Sequence, residues 1–167
     1  MFGAESTYQA SPAKVILKIN HGLFRRSIEN RFLTAFYGVL SNNGAFTFTN
    51  AGHNAPVLVS ASGVRRLETG GMVLGLFEHA AFDEETINLQ PGDFIIAFSD
   101  GVTEALNEAG EEYMDDRLLA SINRARGLAP DALVANLLAD VHAFAGAATP
   151  NDDLTLVMVR YEGQRTA

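Results

Sequence analysis

Two short acidic segments hold the side chains of this chain that are best suited to chemistry. The first is Ser99-Asp100-Gly101, which follows the apolar run 94–98. A strand that ends in this way places a carboxylate at the mouth of a rigid core, where it suits a metal ligand or a general base. An Asp-Gly turn that only closes a strand explains the same residues, so the spacing alone leaves both interpretations open.

The second acidic segment is Asn151-Asp152-Asp153-Leu154-Thr155, which leads into a predicted final strand over 154–161. Successive side chains of a strand point to opposite faces, so only one of these two aspartates is expected to join Asp100. Carboxylate oxygens are hard ligands that prefer Mg²⁺ or Mn²⁺ to zinc. A solvated turn before a strand is the alternative interpretation.

The other candidate residues indicate structure rather than chemistry. His53 lies in a loop beside glycine, where a histidine is more often structural than catalytic. The glycine-rich segment 69–75 lacks the Gly-Lys-Ser/Thr sequence of a phosphate-binding loop. The acidic runs 83–85 and 111–112 are interpreted as solvated faces. The chain contains no cysteine, which excludes thiol nucleophiles, thiolate metal sites and disulfides.

Composition and charge limit the class of partner. The formal net charge of the 167-residue chain is −8, which argues against nucleic acid or an anionic membrane as the partner. The charge is uneven, because the first 82 residues carry seven Lys and Arg against four Glu, whereas the rest carry sixteen acids against five Arg. The apolar runs are too short to span a bilayer, and residues 1–10 do not resemble a signal peptide. Together with the absence of cysteine, these features predict a cytoplasmic protein.

Periodicity predicts the elements that must position the acidic segments. Apolar residues at helical spacing predict helices over 11–28, from Asp115 or Asp116, and from Pro130, with Ser11 capping the first helix. Alternating or continuous apolar runs separated by turn residues predict strands over 32–40, 45–50, 56–60, 64–68, 82–89, 94–99 and 154–161. Segment 69–75 is expected to be irregular. The prediction is one α+β domain with antiparallel sheets covered by helices.

Six segments occur in an order and spacing that resemble the sporulation-protein-E-type phosphatases, the bacterial branch of the metal-dependent protein serine/threonine phosphatases. They are 32–39, 50–56 (Asn-Ala-Gly-His-Asn-Ala-Pro), 71–77, 91–93, 99–105 (Ser-Asp-Gly-Val-Thr-Glu-Ala) and 151–155. The resemblance assigns residues 11–162 to the phosphatase domain, with a polar segment at 1–10 before it and a tail at 163–167.

The resemblance implies a layered α-β-β-α sandwich of antiparallel sheets with two Mn²⁺ or Mg²⁺ ions at one end. Asp100 and Asp152 match metal ligands of the family and are the expected catalytic residues, and Asp153 completes the expected metal-binding set at the neighbouring polar position. In such enzymes the metals activate a water that attacks a serine or threonine phosphate directly. The expected partner is a phosphorylated regulatory protein, such as an anti-sigma-factor antagonist of bacterial partner-switching signalling.

One part of the family pattern has no counterpart in this chain. The family begins with Gly-Asp-x-x-Asp and Asp-x-Ser-Gly-x-Gly motifs, whereas the first aspartate here is Asp83. The N-terminal strands and first helix of the sandwich are therefore expected to be missing. Two carboxylates alone would hold a divalent ion weakly, so a partial site is expected. An exposed sheet edge or face would also favour a homodimer.

Two functions follow from this comparison. The first is a metal-dependent protein phosphatase that is weak or inactive as this chain. The alternative is a non-catalytic module that keeps the phosphatase fold and binds a regulatory partner, with the helix predicted over 11–28 as a contact surface.

Overall fold

The computed structural model describes residues 11–25 and 32–164, which fall into two compact units. The first unit comprises the described residues up to His53 together with Glu68–Asn88, and the second comprises Asn54–Leu67 and the described residues from Leu89 onward. The first unit combines a β-sheet with one described helix and the second combines a β-sheet with three, which confirms the predicted α+β class. Within the described ranges, no helix has the length and apolar character needed to cross a membrane.

The helices and strands lie close to their predicted positions. In chain order they are α1 (Pro12–Arg25), β1 (Ala35–Leu40), β2 (Ala45–Ala51), β3 (Val57–Ser60), β4 (Gly63–Arg66), β5 (Gly70–Gly71), β6 (Glu85–Asn88), β7 (Phe94–Phe98), α2 (Asp100–Thr103), α3 (Met114–Ala125), α4 (Pro130–Ala145) and β8 (Leu156–Arg160). Residues 26–28 of the first predicted helix lie outside the described residues.

The sheet of the first unit is built around β2. β1 pairs antiparallel with β2, with Ala35 opposite Ala51, which agrees with two predicted strands separated by a short turn. The other edge of β2 pairs antiparallel with β6 and parallel with the two-residue strand β5. β5 lies in a segment that was predicted to be irregular. Its close approach depends on Gly70, because a Cβ at that position would lie 1.8 Å from the carbonyl oxygen of Asn50.

The start of α1 is capped by two side chains. The Ser11 hydroxyl accepts a 3.3 Å hydrogen bond from the Lys14 amide, which agrees with its predicted capping role. The Glu84 carboxylate accepts hydrogen bonds from the Ser11 hydroxyl at 2.6 Å and from the Ala13 amide at 3.0 Å. A carboxylate at a helix N-terminus is favoured by the free amides and the helix dipole. Glu84 is exposed, as expected of a solvated acidic run, but it also caps a helix.

The sheet of the second unit has the strand order β4-β3-β7-β8 and is antiparallel throughout. β7 lies between β3 and β8, and four of its five residues are buried, which agrees with the strand predicted from the apolar run 94–98. Phe94, Ile96 and Phe98 belong to one core with buried side chains of α3 and α4, which include Leu118, Ile122, Leu133 and Leu137. A strand buried in this way is a firm support for the residues that follow it.

Two boundaries in the second unit differ from the prediction. α3 begins at Met114, and its N-cap residue, Tyr113, makes no side-chain capping bond, so capping by Asp115 or Asp116 is wrong. Both acids instead lie in the first turn, where they still oppose the positive end of the helix. β8 begins at Leu156, later than predicted, so 151–155 lies in the turn before the strand.

Candidate functional site

β7 delivers Asp100 to the surface of the second unit. Asp100 is the first residue of α2, and the next two residues, Gly101 and Val102, are buried. The Asp100 side chain is exposed, and its Oδ1 accepts a 3.1 Å hydrogen bond from the Gly101 amide. Gly101 belongs to the short helical turn that follows β7.

The turn 151–155 lies directly against Ser99 and α2. The Asn151 side-chain amide donates a 3.0 Å hydrogen bond to the Glu104 carbonyl oxygen. The Ser99 hydroxyl donates a 2.9 Å hydrogen bond to the Asp153 carbonyl oxygen. A Cβ on Gly101 would lie 2.5 Å from that same carbonyl oxygen. The two acidic segments singled out from the sequence are therefore neighbours in space.

The carboxylates of Asp100, Asp152 and Asp153 are all exposed, and none forms an ion pair with a basic side chain of the described ranges. Asp152 Oδ1 accepts a 2.7 Å hydrogen bond from the Asp153 amide. Three carboxylates thus lie on two neighbouring segments, without a basic side chain of the described ranges to offset their charge. Such a place attracts a divalent cation, and its oxygen donors are of the kind that Mg²⁺ and Mn²⁺ prefer.

The donor set is incomplete in the described part of the chain. No group of three or more His, Asp or Glu side chains in that part is arranged to hold a metal ion. The residues present therefore fit Mn²⁺ or Mg²⁺ in the kind of donor, and they supply only part of the six-coordinate shell that Mg²⁺ demands.

His53 belongs to the first unit and has a structural setting. Its Nδ1 lies 3.2 Å from the Thr34 hydroxyl. Its main chain is held by the buried Asn50 side chain, which accepts a 2.8 Å bond from the His53 amide and donates a 2.9 Å bond to the His53 carbonyl oxygen. These contacts agree with the structural interpretation of this histidine.

Sequence reasoning assigned no role to Ser99 or Asn151, although both belong to the quoted motifs. Ser99 binds the main chain of the second acidic segment, and Asn151 binds the main chain of Glu104 at the end of α2. Their position in the sequence could have indicated such a role, because each is a polar residue immediately before a candidate aspartate.

Comparisons with known proteins agree with this architecture. The family model described as Stage II sporulation protein E (SpoIIE) matches residues 1–162. Phosphoserine phosphatase RsbU of Bacillus subtilis is 31% identical over 102 residues, which are 59% of this chain and 30% of RsbU. The chain thus spans less than a third of the length of that relative.

Solved structures show the same fold. The SiaA PP2C domain of Pseudomonas aeruginosa matches with a TM-score of 0.79 at 15% identity, over 90% of this chain and 60% of that chain. The Mn-presoaked phosphatase domain of SpoIIE from Bacillus subtilis matches with a TM-score of 0.60 at 16% identity, over 99% of this chain and 79% of that chain. The chain therefore belongs to the SpoIIE family and has the fold of PP2C phosphatase domains.

Proposed function

We propose that this chain carries part of the active site of a Mn²⁺- or Mg²⁺-dependent protein phosphatase that acts on phosphoserine or phosphothreonine. The observation that carries this proposal is the packing of the turn 151–155 against Ser99 and α2, which brings the segment of Asp152 beside Asp100. Membership of the SpoIIE family and the similarity to RsbU, a phosphoserine phosphatase, support the same reaction. The substrate is a phosphorylated regulatory protein of the anti-sigma-factor-antagonist type.

In this proposal Asp100 and Asp152 would hold the metal through their carboxylate oxygens, and Asp153 adds negative charge at the neighbouring position. When bound, divalent ions neutralise phosphoryl oxygens and make water a better nucleophile at neutral pH. Water attacks phosphorus, the bond from phosphorus to the serine or threonine oxygen breaks, and a free hydroxyl and inorganic phosphate leave. The contribution of this chain is to fix its carboxylates on a buried strand and an anchored turn.

The site proposed for this chain is partial, which limits its expected metal affinity and its expected rate of turnover. Because the described residues contain no third ligand at the site, the remaining ligands would come from outside them. A shell completed mostly by water binds Mg²⁺ or Mn²⁺ weakly. We therefore expect weak metal binding and slow turnover by this chain.

Calorimetric titration with Mn²⁺ tests the site, with hydrolysis of p-nitrophenyl phosphate measured in parallel. The double variant Asp100→Asn/Asp152→Asn should lose both binding and turnover. The matched control is Asp116→Asn/Asp131→Asn, which removes the same charge from exposed positions in α3 and α4 and should leave both signals unchanged. Equal binding by the two double variants would contradict the assignment.

The non-catalytic alternative is favoured by one observation in the first unit. The side chains of Ile19 and Phe24 on α1 are 41% and 38% exposed, and Lys18 and Arg25 on the same helix are also exposed. Exposed apolar side chains on a helix that also carries exposed cations are common in protein contact sites. This alternative predicts that the wild-type chain and the Asp100→Asn/Asp152→Asn variant both hydrolyse p-nitrophenyl phosphate no faster than buffer containing Mn²⁺.

A further inference from the structure

Ser99 lies where β7 ends and α2 begins, and its main-chain atoms form hydrogen bonds in both the β-ladder and the helix. Its amide donates a 3.0 Å hydrogen bond to the Thr155 carbonyl oxygen, which extends the ladder beyond the Phe98–Leu156 pair. Its carbonyl oxygen accepts a 3.1 Å hydrogen bond from the Val102 amide in the first turn of α2. In an antiparallel ladder that carbonyl would normally accept from the opposite residue. The Thr155 amide therefore needs another acceptor.

The Ser99 hydroxyl supplies this acceptor. The Thr155 amide donates a 3.0 Å hydrogen bond to Ser99 Oγ, and Ser99 Oγ donates a 2.9 Å hydrogen bond to the Asp153 carbonyl oxygen. A serine hydroxyl can donate and accept at the same time, so one side chain makes both bonds. The hydroxyl thus binds the turn at two residues that follow Asp152 and precede β8.

Gly101 lets the same turn approach from the other side of Asp100. A Cβ at Gly101 would lie 2.5 Å from the Asp153 carbonyl oxygen and 3.4 Å from the Asp152 carbonyl carbon. The residues that flank Asp100 therefore both contact the peptide that carries Asp152 and Asp153. Neither Ser99 nor Gly101 adds a carboxylate to the site, so their effect on it acts through position.

We infer that Ser99 is a positioning residue of the proposed metal site, where its hydroxyl sets the location of the Asp152–Asp153 turn relative to Asp100. The effect on metal binding rests on the proposed function. The effect on the position of the turn rests on the hydrogen bonds of Ser99. Ser99→Ala removes both side-chain bonds, whereas Ser99→Thr keeps the hydroxyl. A matched control is Ser60→Ala, which removes a hydroxyl that lies 2.8 Å from the Ser62 hydroxyl and 3.3 Å from the Gly63 carbonyl oxygen, in the hairpin of β3 and β4.

The first measurement is amide hydrogen exchange by NMR on the whole chain without metal. In Ser99→Ala the Thr155 amide should exchange about tenfold faster than in the wild type, because its acceptor is gone. In Ser99→Thr and Ser60→Ala the exchange rate of that amide should stay within about twofold of the wild-type rate. The second measurement is Mn²⁺ affinity by calorimetry, which Ser99→Ala should weaken by about three- to tenfold, the factor expected for a lost hydrogen bond. Ser99→Thr should restore it.

Three results would overturn the inference. The first is an unchanged Thr155 exchange rate in Ser99→Ala. The second is a Mn²⁺ affinity of Ser99→Ala equal to that of a wild type that binds. The third is a Ser99→Ala chain that does not fold while Ser99→Thr does, since Ser99 would then support the fold as a whole. If the wild type does not bind Mn²⁺, the proposed function fails for this chain, and the metal-free exchange result alone decides whether Ser99 holds the turn.

Discussion

The carbonyl oxygen of Asp153 lies 2.5 Å from the position that a Cβ on Gly101 would occupy. A main-chain carbonyl oxygen cannot move aside for an added Cβ as easily as the end of a flexible side chain can. Gly101→Ala should therefore push the turn 151–155 away from α2 and lower the free energy of unfolding by roughly 1–3 kcal/mol, the usual cost of overpacking. Urea denaturation measures this loss, and Mn²⁺ affinity should fall with it.

Gly127→Ala is the matched control for this substitution. Gly127 also belongs to the second unit, and a Cβ there would meet nothing within 4 Å. Its free energy of unfolding should change by no more than about 0.5 kcal/mol. If Gly101→Ala is as stable as this control, the close approach of the turn to α2 is not a constraint in solution.

Gly70 makes an even closer approach in the first unit, where β5 runs beside β2. A Cβ on Gly70 would lie 1.8 Å from the carbonyl oxygen of Asn50, so Gly70→Ala must separate the two strands. We expect a loss of at least about 3 kcal/mol in unfolding free energy, at the upper end of overpacking effects. Gly22→Ala in α1 meets nothing within 4 Å and should instead stabilise the helix by up to about 1 kcal/mol. Thermal unfolding of both variants by circular dichroism would show whether the two changes have opposite signs.

Tyr113 and Asp140 connect α3 to α4 through a buried phenol. The Tyr113 hydroxyl donates a 2.6 Å hydrogen bond to Asp140 Oδ2, and Arg124 donates to the same oxygen at 3.0 Å. Burial raises the pKa of Tyr113 to about 12, and the hydrogen bond to Asp140 adds to the rise. The hydrogen bond from Tyr113 holds the pKa of Asp140 below its usual value, and Arg124 acts in the same direction.

These shifts predict how stability depends on pH. Because the pKa of Tyr113 is raised on folding, its contribution is fully present below about pH 10, the unfolded value, and is lost as the pH rises through 12. Because the pKa of Asp140 is lowered, its contribution is present above about pH 4 and is lost as the pH falls through the folded value. Urea denaturation of wild type and Tyr113→Phe should therefore differ by a constant amount between about pH 5 and 10. A difference that persists unchanged at pH 12 would contradict this account.

β8 is a candidate edge for self-association. Among the described residues it is an edge strand of its sheet. The side chains of Val157 and Val159 on this strand are 52% and 48% exposed. Exposed apolar edge strands favour pairing with a second chain. Sedimentation velocity should show a mass that rises with concentration for the wild type. Val157→Lys/Val159→Lys should stay monomeric, whereas Ala132→Lys/Ala135→Lys, with the same added charge on exposed positions of α4, should behave as the wild type.

Sequence patterns predicted most elements because they depend on local geometry. The apolar run at 94–98 predicted the buried strand β7, and Ser11 followed by Pro12 predicted the start of α1. A prediction was wrong where a distant contact decides the outcome, because segment 69–75 contains a short strand in which Gly70 packs on β2.

The sequence by itself determined the α+β class, the resemblance to the SpoIIE family and the identity of the candidate carboxylates, Asp100 and Asp152. These features depend only on residue types and their spacing, so they can be read without knowing which residues are in contact. Only the tertiary structure decided that Ser99 reaches Asp153 and Thr155, partners 54 and 56 positions away. Hydrogen bonds between residues so far apart in the sequence form because the end of β7 lies beside the start of β8. A local pattern of polar and apolar residues does not predict which strands become neighbours.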